Sequence, residues 1–281
     1  VECYTDLSTT LDRRPSPFNC VYQFRRVLLS SRSKDKPAEP FLVLRLAKRS
    51  GYLGQAQSQT QLMAFDQQAL SQYKEKLLIM ASHAEGMVTR AVRAHIDRDE
   101  ALAGQALETD ETIDQFEIQI DRIALGLLAQ QPGEFELRQI TCGMKIARDL
   151  ERVGDEATTI ARRAIKLMAL PPLSTPLEIA EMTFLANAML KDALDAFVSG
   201  NTVLARGVIP RDKRVDEMNK TYQDNLTELM EASSENIRRC RHLTVICKCL
   251  ERIADHAKNI AEDAVLLHEA KDIRHAGTAN E

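Results

Sequence analysis

Two stretches one hundred residues apart carry nearly the same residues. Leu-Glu-Arg-Val-Gly-Asp-Glu-Ala-Thr-Thr-Ile-Ala at 150–161 and Leu-Glu-Arg-Ile-Ala-Asp-His-Ala-Lys-Asn-Ile-Ala at 250–261 agree at seven of twelve positions. Similarity at a fixed spacing marks one supersecondary unit used twice. Leu150, Gly154, Ala157 and Ala161 recur at steps of three and four, as do Leu250, Ala254, Ala257 and Ala261. Residues so spaced share one helix face, so each stretch reads as a helix with a narrow apolar seam.

The same periodicity fills the chain from about Asp66 onward. Leu70, Tyr73, Leu77, Ala81, Ala84, Val88, Ala91 and His95 predict a first helix. Leu107, Ile113, Ile120, Ala124 and Leu127 predict a second over about 100–130, closed by Pro132-Gly133. A third runs from about 134 to 169, and Pro171, Pro172 and Pro176 then break the pattern. Three more follow at about 177–199, 202–233 and 236–270. Gly200-Asn201 reads as a connection, and Ser233 and Ser234 offer capping hydroxyls to the last helix. Gly207 and Pro210 interrupt the fifth, and Pro210 is expected to kink or divide it. The fold class is therefore all-α: two tandem three-helix bundles, one over 63–170 and one over 171–281 with a short C-terminal tail.

Composition agrees. Eleven Gly and nine Pro in 281 residues are too few for the many turns of a sandwich, barrel or propeller. No stretch approaches 18 apolar residues, so no transmembrane helix is expected. Charge divides the chain. Residues 1–62 hold ten Lys/Arg against five Asp/Glu and four of the nine prolines, whereas residues 63–281 hold 27 Lys/Arg against 36 Asp/Glu, a net of −9. An acidic body argues against nucleic acid, whose phosphates need basic partners. The basic prefix is expected to be a disordered extension without a packed fold, upstream of a domain that begins near Met63 and the product of an over-long gene model. The six cysteines form no Cys-x-x-Cys pair and are expected to be reduced and mostly buried.

Four carboxylate pairs stand out: Asp110/Asp114, Glu151/Asp155, Asp212/Asp216 and Glu251/Asp255. Each has i,i+4 spacing, which puts like charges together on one helix face at a cost of about 0.2–0.5 kcal/mol per pair. Basic neighbours such as Arg148, Arg152, Lys248 and Arg252 could offset it, leaving a solvated face; so could a bound cation. Recurrence in both halves and position beside the apolar seam favour the cation. Oxygen donors of this kind suit iron, Mn, Mg or similar hard ions and disfavour zinc. His256 beside Asp255 reads either as a ligand or as an exposed helix histidine. No histidine follows a glutamate by three residues, as a di-iron carboxylate bundle requires; Asp272-x-x-His275 comes nearest. No phosphate-binding Gly loop or nucleophile elbow is present, so no catalytic residues are expected. No basic residue is singled out as an anion site.

Asp149-Leu-Glu-Arg-Val-Gly-Asp155, and Leu250-Glu-Arg-Ile-Ala-Asp-His256 followed by Asn259-Ile-Ala-Glu262, resemble the paired signatures of the PhoU family of phosphate-transport regulators. Gln131-Pro132, Leu137-Arg138 and Lys145-Ile146 fit the family's approach to the first signature, and Phe65-Asp66 resembles its usual start. The resemblance covers about residues 63–270. It implies metal clusters held by Glu151, Asp155, Glu251 and Asp255, with Asp110, Asp114, Asp212 and Asp216 as partners on neighbouring helices. It also implies a cytoplasmic homodimer that represses the phosphate-starvation response. Its partners would be the ATPase subunit of the phosphate transporter and a sensor histidine kinase. Thr159 replaces the family's usual Asn, Ala254 its usual Gly, and Gln130 a common Arg. Pro210, two residues before Asp212, is expected to disturb the second metal site, so the Glu151/Asp155 half is favoured. The competing readings are a metal-free helical scaffold for protein–protein interaction and a metal-dependent carboxylate-bundle enzyme.

Overall fold

A computed structural model describes residues 65–173 and 179–274. The expectations placed on residues 1–62, Met63, Cys3, Cys20, Pro176 and His275 lie outside the described residues. Six α-helices make up the described body: α1 (Gln67–Asp97), α2 (Glu100–Leu128), α3 (Glu134–Met168), α4 (Ile179–Ser199), α5 (Thr202–Ala232) and α6 (Ile237–Glu269).

The helix ends follow from local chemistry. Asp66 Oδ1 accepts from the Ala69 amide at 2.9 Å and starts α1. Arg98 then takes a left-handed conformation at φ 52°, which turns the chain into α2. Asp99 Oδ1 accepts from the amides of Ala101 and Leu102 at 2.8 and 3.1 Å. The Arg98 guanidinium reaches across to the last turn of α3, donating to the carbonyls of Met168 and Leu170 at 2.6 and 2.8 Å. Those carbonyls have no partner within their own helix, so one residue closes two helix ends. Gly200, at φ +71°, and Asn201, whose Oδ1 accepts from the Leu204 amide at 3.0 Å, join α4 to α5. Ser233 caps a single 3-10 turn, Ser234–Asn236, that leads into α6.

α1, α2 and α3 pack together, as do α4, α5 and α6. The halves meet chiefly along α3 and α6, with a smaller contact between α1 and α4. Among the described residues α2 and α5 touch only their own half. α3 and α6 run antiparallel, as their cross-pairs show. Lys145 pairs with Asp263 at 3.0 Å, Asp149 with His256 at 2.8 Å, Glu156 with Arg252 at 3.1 Å and Arg163 with His242 at 3.5 Å. The number on α3 climbs as the number on α6 falls.

All eight seam residues are buried, and with the inward residues of the other helices they form one continuous apolar cluster. The two halves solve one packing problem differently. A methyl group on Gly154 would lie 3.1 Å from Ile113 Cδ1, so glycine lets α2 approach α3. In the second half the matching residues are Ala254 and Val215. A larger residue on α6 is offset by a smaller one on α5, so Ala254, where the family usually has glycine, is accommodated.

Cys142, Cys240, Cys247 and Cys249 are buried and unbridged. Burial pushes the Cys142 thiol up to about 11 and the Cys247 thiol up to about 12. α5 corrects one expectation: it runs undivided through Pro210. Proline removes the amide that would bond the Arg206 carbonyl, and beside it Arg211 Nε donates to the Gly207 carbonyl at 3.1 Å. Ala205, Val208, Asp212 and Val215 are buried on either side of Pro210, so packing keeps the helix continuous through it.

Candidate functional site

The four pairs fall into two clusters of four. Asp110 and Asp114 on α2 share a field with Glu151 and Asp155 on α3. Burial and then repulsion from Asp110, Asp155 and Glu111 raise the Asp114 carboxyl above its ordinary value. Burial, Asp155 and Glu117 raise that of Glu151 against the opposing pull of Arg152. The second half repeats this on α5 and α6. Burial, Asp212 and Glu251 raise Asp216, and burial, Asp212, Glu251 and Asp216 raise Asp255. Thus the i,i+4 spacing of each pair and the packing of neighbouring helices place four carboxylates within one another's field, twice.

The clusters differ in what surrounds them. In the second, Asp212 and Glu251 are buried, at 4% and 9% exposed. Lys258 Nζ lies 2.5 Å from Asp212 Oδ2, and Lys248 Nζ lies 2.5 Å from Glu251 Oε2. Burial pulls the Lys258 ammonium down, but Asp212, Asp255 and Glu262 more than offset it and raise it. Asp212 Oδ1 and Glu251 Oε2 are nonetheless buried without a hydrogen-bond partner, the Lys248 contact being an ion pair without hydrogen-bond alignment.

The first cluster has no inserted ammonium. The residue matching Lys258 is Thr158, 4% exposed, whose hydroxyl is buried without a hydrogen-bond partner. The residue matching Lys248 is Arg148, which sits 3.7 Å from Glu117 instead. Arg152 is the nearest cation, 3.2 Å from Asp155 and 3.5 Å from Glu151, and it is half exposed. Glu151 Oε2 is buried without a hydrogen bond. Asp114 and Asp155 are exposed, and Asp110 and Asp155 open onto a cavity of about 580 Å³ bounded on its far side by Lys248 and Arg252 of α6.

No group of three or more His, Cys, Asp or Glu among the described residues stands close enough together to hold a metal ion. The clusters therefore hold the oxygen donors a hard cation takes, and orphaned buried oxygens, but no preformed cage. By donor chemistry the first cluster fits such an ion better than the second, since its nearest cation is the half-exposed Arg152 rather than an ammonium against a buried carboxylate. His256 is neither solvent-exposed nor turned toward Asp255: it is half-buried, and its Nδ1 is bound to Asp149 across the α3–α6 seam.

Sequence reasoning missed Glu117 and Lys258. Glu117 stands three residues after Asp114, on the same helix face, and its carboxyl is raised by burial and by Asp121 and Asp114 against the pull of Arg148 and Arg152. Its spacing was the available signal. Lys258 stood in plain view opposite Thr158 in the aligned repeats.

A helical body of two like halves, each with an acidic cluster between its second and third helices, defines an all-α repeat protein. The PhoU domain model matches residues 77–164 and again 179–264. The chain is 39% identical over 212 residues to the phosphate-specific transport system accessory protein PhoU homolog of Pseudomonas putida, covering 74% of this chain and 82% of that one. It is 38% identical over 212 residues to the PhoU homolog of Pseudomonas aeruginosa, covering 74% of this chain and 87% of the relative. The crystal structure of PhoU from Pseudomonas aeruginosa superposes with a TM-score of 0.71 at 37% identity, over 73% of this chain and 99% of that one. The chain belongs to the PhoU family.

Proposed function

We propose that this protein is an accessory regulator of a phosphate-specific transport system. The observation that carries the reading is the match of both repeats to the PhoU domain, with relatives described as accessory proteins of that system over most of their length. In its finer form the reading is of a cytoplasmic homodimer that represses the phosphate-starvation response. It does so by coupling the transporter ATPase to a sensor histidine kinase. No helix among the described residues is long and apolar enough to cross a membrane, which agrees with action from the cytoplasmic face. The role is regulatory and needs no catalytic residue. Deleting the gene in its source cell should raise phosphate-starvation gene expression under ample phosphate; unchanged expression contradicts the reading.

The first cluster is the proposed metal site, with Glu151 and Asp155 from α3 and Asp110 and Asp114 from α2 as ligands. A bound divalent cation would neutralise their mutual repulsion and fasten α2 to α3. Asp212, Asp216, Glu251 and Asp255 form the matching second site, where Lys258 already supplies a positive charge and metal is held more weakly. A metal-free adaptor is the second reading. It is favoured by the absence, among the described residues, of a preformed ligand group.

A further inference from the structure

One end of the α3–α6 seam carries charge of the opposite sign. Arg163 and Lys166 from the last turns of α3 and Arg238, Arg241 and His242 from the first turns of α6 line a cavity of about 660 Å³. Its lining includes no carboxylate. Among the described residues, none of the four permanent cations takes part in an ion pair, although residues 63–281 carry a net −9. Their neighbour Arg239 is committed to structure, donating to the carbonyls of Pro171 and Pro172 at 3.2 and 3.1 Å. Arg238 and Arg241 make no such bond, and they stand at a helix N-terminus, where positive charge is electrostatically unfavourable.

The repeat does not demand this arrangement. A shift of one hundred residues carries Arg163 onto Asp263, Lys166 onto Leu266, and Arg241 and His242 onto Thr141 and Cys142, at the other end of the seam; only Arg238 meets another cation, Arg138, which is paired with Glu134. The charge there is balanced by the Lys145–Asp263 pair. The basic end is specific to one half.

We infer that this cavity binds a small anion bearing two or more phosphate groups. Its volume lies within the range of about 300–1,000 Å³ typical of small-ligand sites. Four fixed cations match about two phosphate groups at roughly −1.5 to −2 each. Guanidinium forks bind phosphate oxygens bidentately. Ala169, Met230 and Val245 give the cavity an apolar floor against which an attached organic group can rest. Arg163 Nη1 lies 3.5 Å from Nδ1 of the His242 imidazole. Its pKa is lowered by burial and by Arg163, Lys166, Arg238 and Arg241, and an anion among those cations relieves that field. The inference is independent of the proposed regulatory role.

Calorimetric titration of the full chain with tripolyphosphate, ATP and inorganic phosphate, at constant ionic strength, tests it. Tripolyphosphate should bind saturably and compete with ATP, because the phosphate chain is the part recognised. Inorganic phosphate should bind at least about tenfold more weakly, having fewer charges. Arg238→Gln/Arg241→Gln should weaken tripolyphosphate at least about tenfold, since each lost charged bond is worth about that factor. Arg93→Gln on α1 should change nothing. Arg238 and Arg241 are both exposed, so the variant should fold, and its circular dichroism should match the parent. In the unaltered protein the His242 ring resonances should move on titration, with its pKa rising. No saturable binding, equal weakening by Arg93→Gln, or inorganic phosphate binding as tightly as tripolyphosphate would overturn the inference.

Discussion

The two carboxylate clusters descend from one repeat, yet they balance their charge differently. On α5 and α6, Asp212 and Glu251 are buried, and Lys258 and Lys248 stand 2.5 Å away. On α2 and α3 the carboxylates are more exposed, the residue matching Lys258 is Thr158, and Arg148 has moved to Glu117. The contrast shows that an acidic face conserved within a repeat need not keep one partner. One copy holds an ammonium against a buried carboxylate; the other has only the half-exposed guanidinium of Arg152 at its rim. It follows that the clusters should respond differently to mutation, packing changes, pH and metal.

The largest effect is expected from Lys258→Met. It leaves Asp212 buried without its counter-ion, and it should destabilise the fold by about 2–4 kcal/mol. That is somewhat below the ~3–5 for breaking a fully buried pair, because Lys258 keeps partial access to water. Urea denaturation measures it. A loss under about 0.5 kcal/mol, the level of an exposed pair, would make the second cluster as solvated as the first and erase the contrast.

Next comes packing beneath the clusters. Gly154→Ala sets a methyl 3.1 Å from Ile113 Cδ1 and should cost about 1 kcal/mol net, overpacking outweighing the helix-propensity gain. In an Ile113→Val background, which copies the Val215/Ala254 arrangement, the same change should stabilise by about 0.5–1 kcal/mol. A double-mutant cycle with no coupling would show that the two halves do not exchange volume between these positions.

The smallest effect is that of pH on the metal-free protein. Asp114, Glu151, Asp216 and Asp255 are raised above their ordinary values, first by burial and then by one another. A carboxyl raised on folding binds more protons in the folded state. Its cost is therefore fully present above the raised value and is relieved as pH falls through it. Relative to Glu151→Gln/Asp155→Asn, the Tm of the parent should rise slightly as pH is lowered from about 7 toward about 5, the comparison cancelling the opposite trend of His95 and His242, whose values burial lowers. A parent Tm that falls relative to the variant over the same window would contradict the repulsion assigned to these groups.

Much of this was legible in the sequence because it depends on local spacing. The seam from Leu150 to Ala161 and its copy from Leu250 to Ala261 are buried as helical periodicity requires. The carboxylate pairs share faces because i,i+4 residues must. Gly200-Asn201 forms its turn by local chemistry, the glycine at positive φ and the Asn201 side chain as a cap. The rest depends on how distant helices meet. Nothing local tells that His256 reaches Asp149, or that Arg163 and His242, 79 residues apart, face one cavity. Both follow from the antiparallel register of α3 and α6. Pro210 does not divide α5 for the converse reason: a local rule against helix interiors was overridden by burial of the residues around it.

The central claim is the proposal that the first cluster, with only a half-exposed guanidinium beside it, takes a divalent cation more readily than the second, which holds an ammonium against a buried carboxylate. Elemental analysis of the full chain, loaded with Mn(II) and dialysed, tests it directly. It should be run beside Glu151→Gln/Asp155→Asn and Glu251→Gln/Asp255→Asn. The account predicts that the parent and the second variant retain metal and that the first variant loses most of it. Metal on none of the three, equal retention by all, or loss confined to the second variant would contradict it.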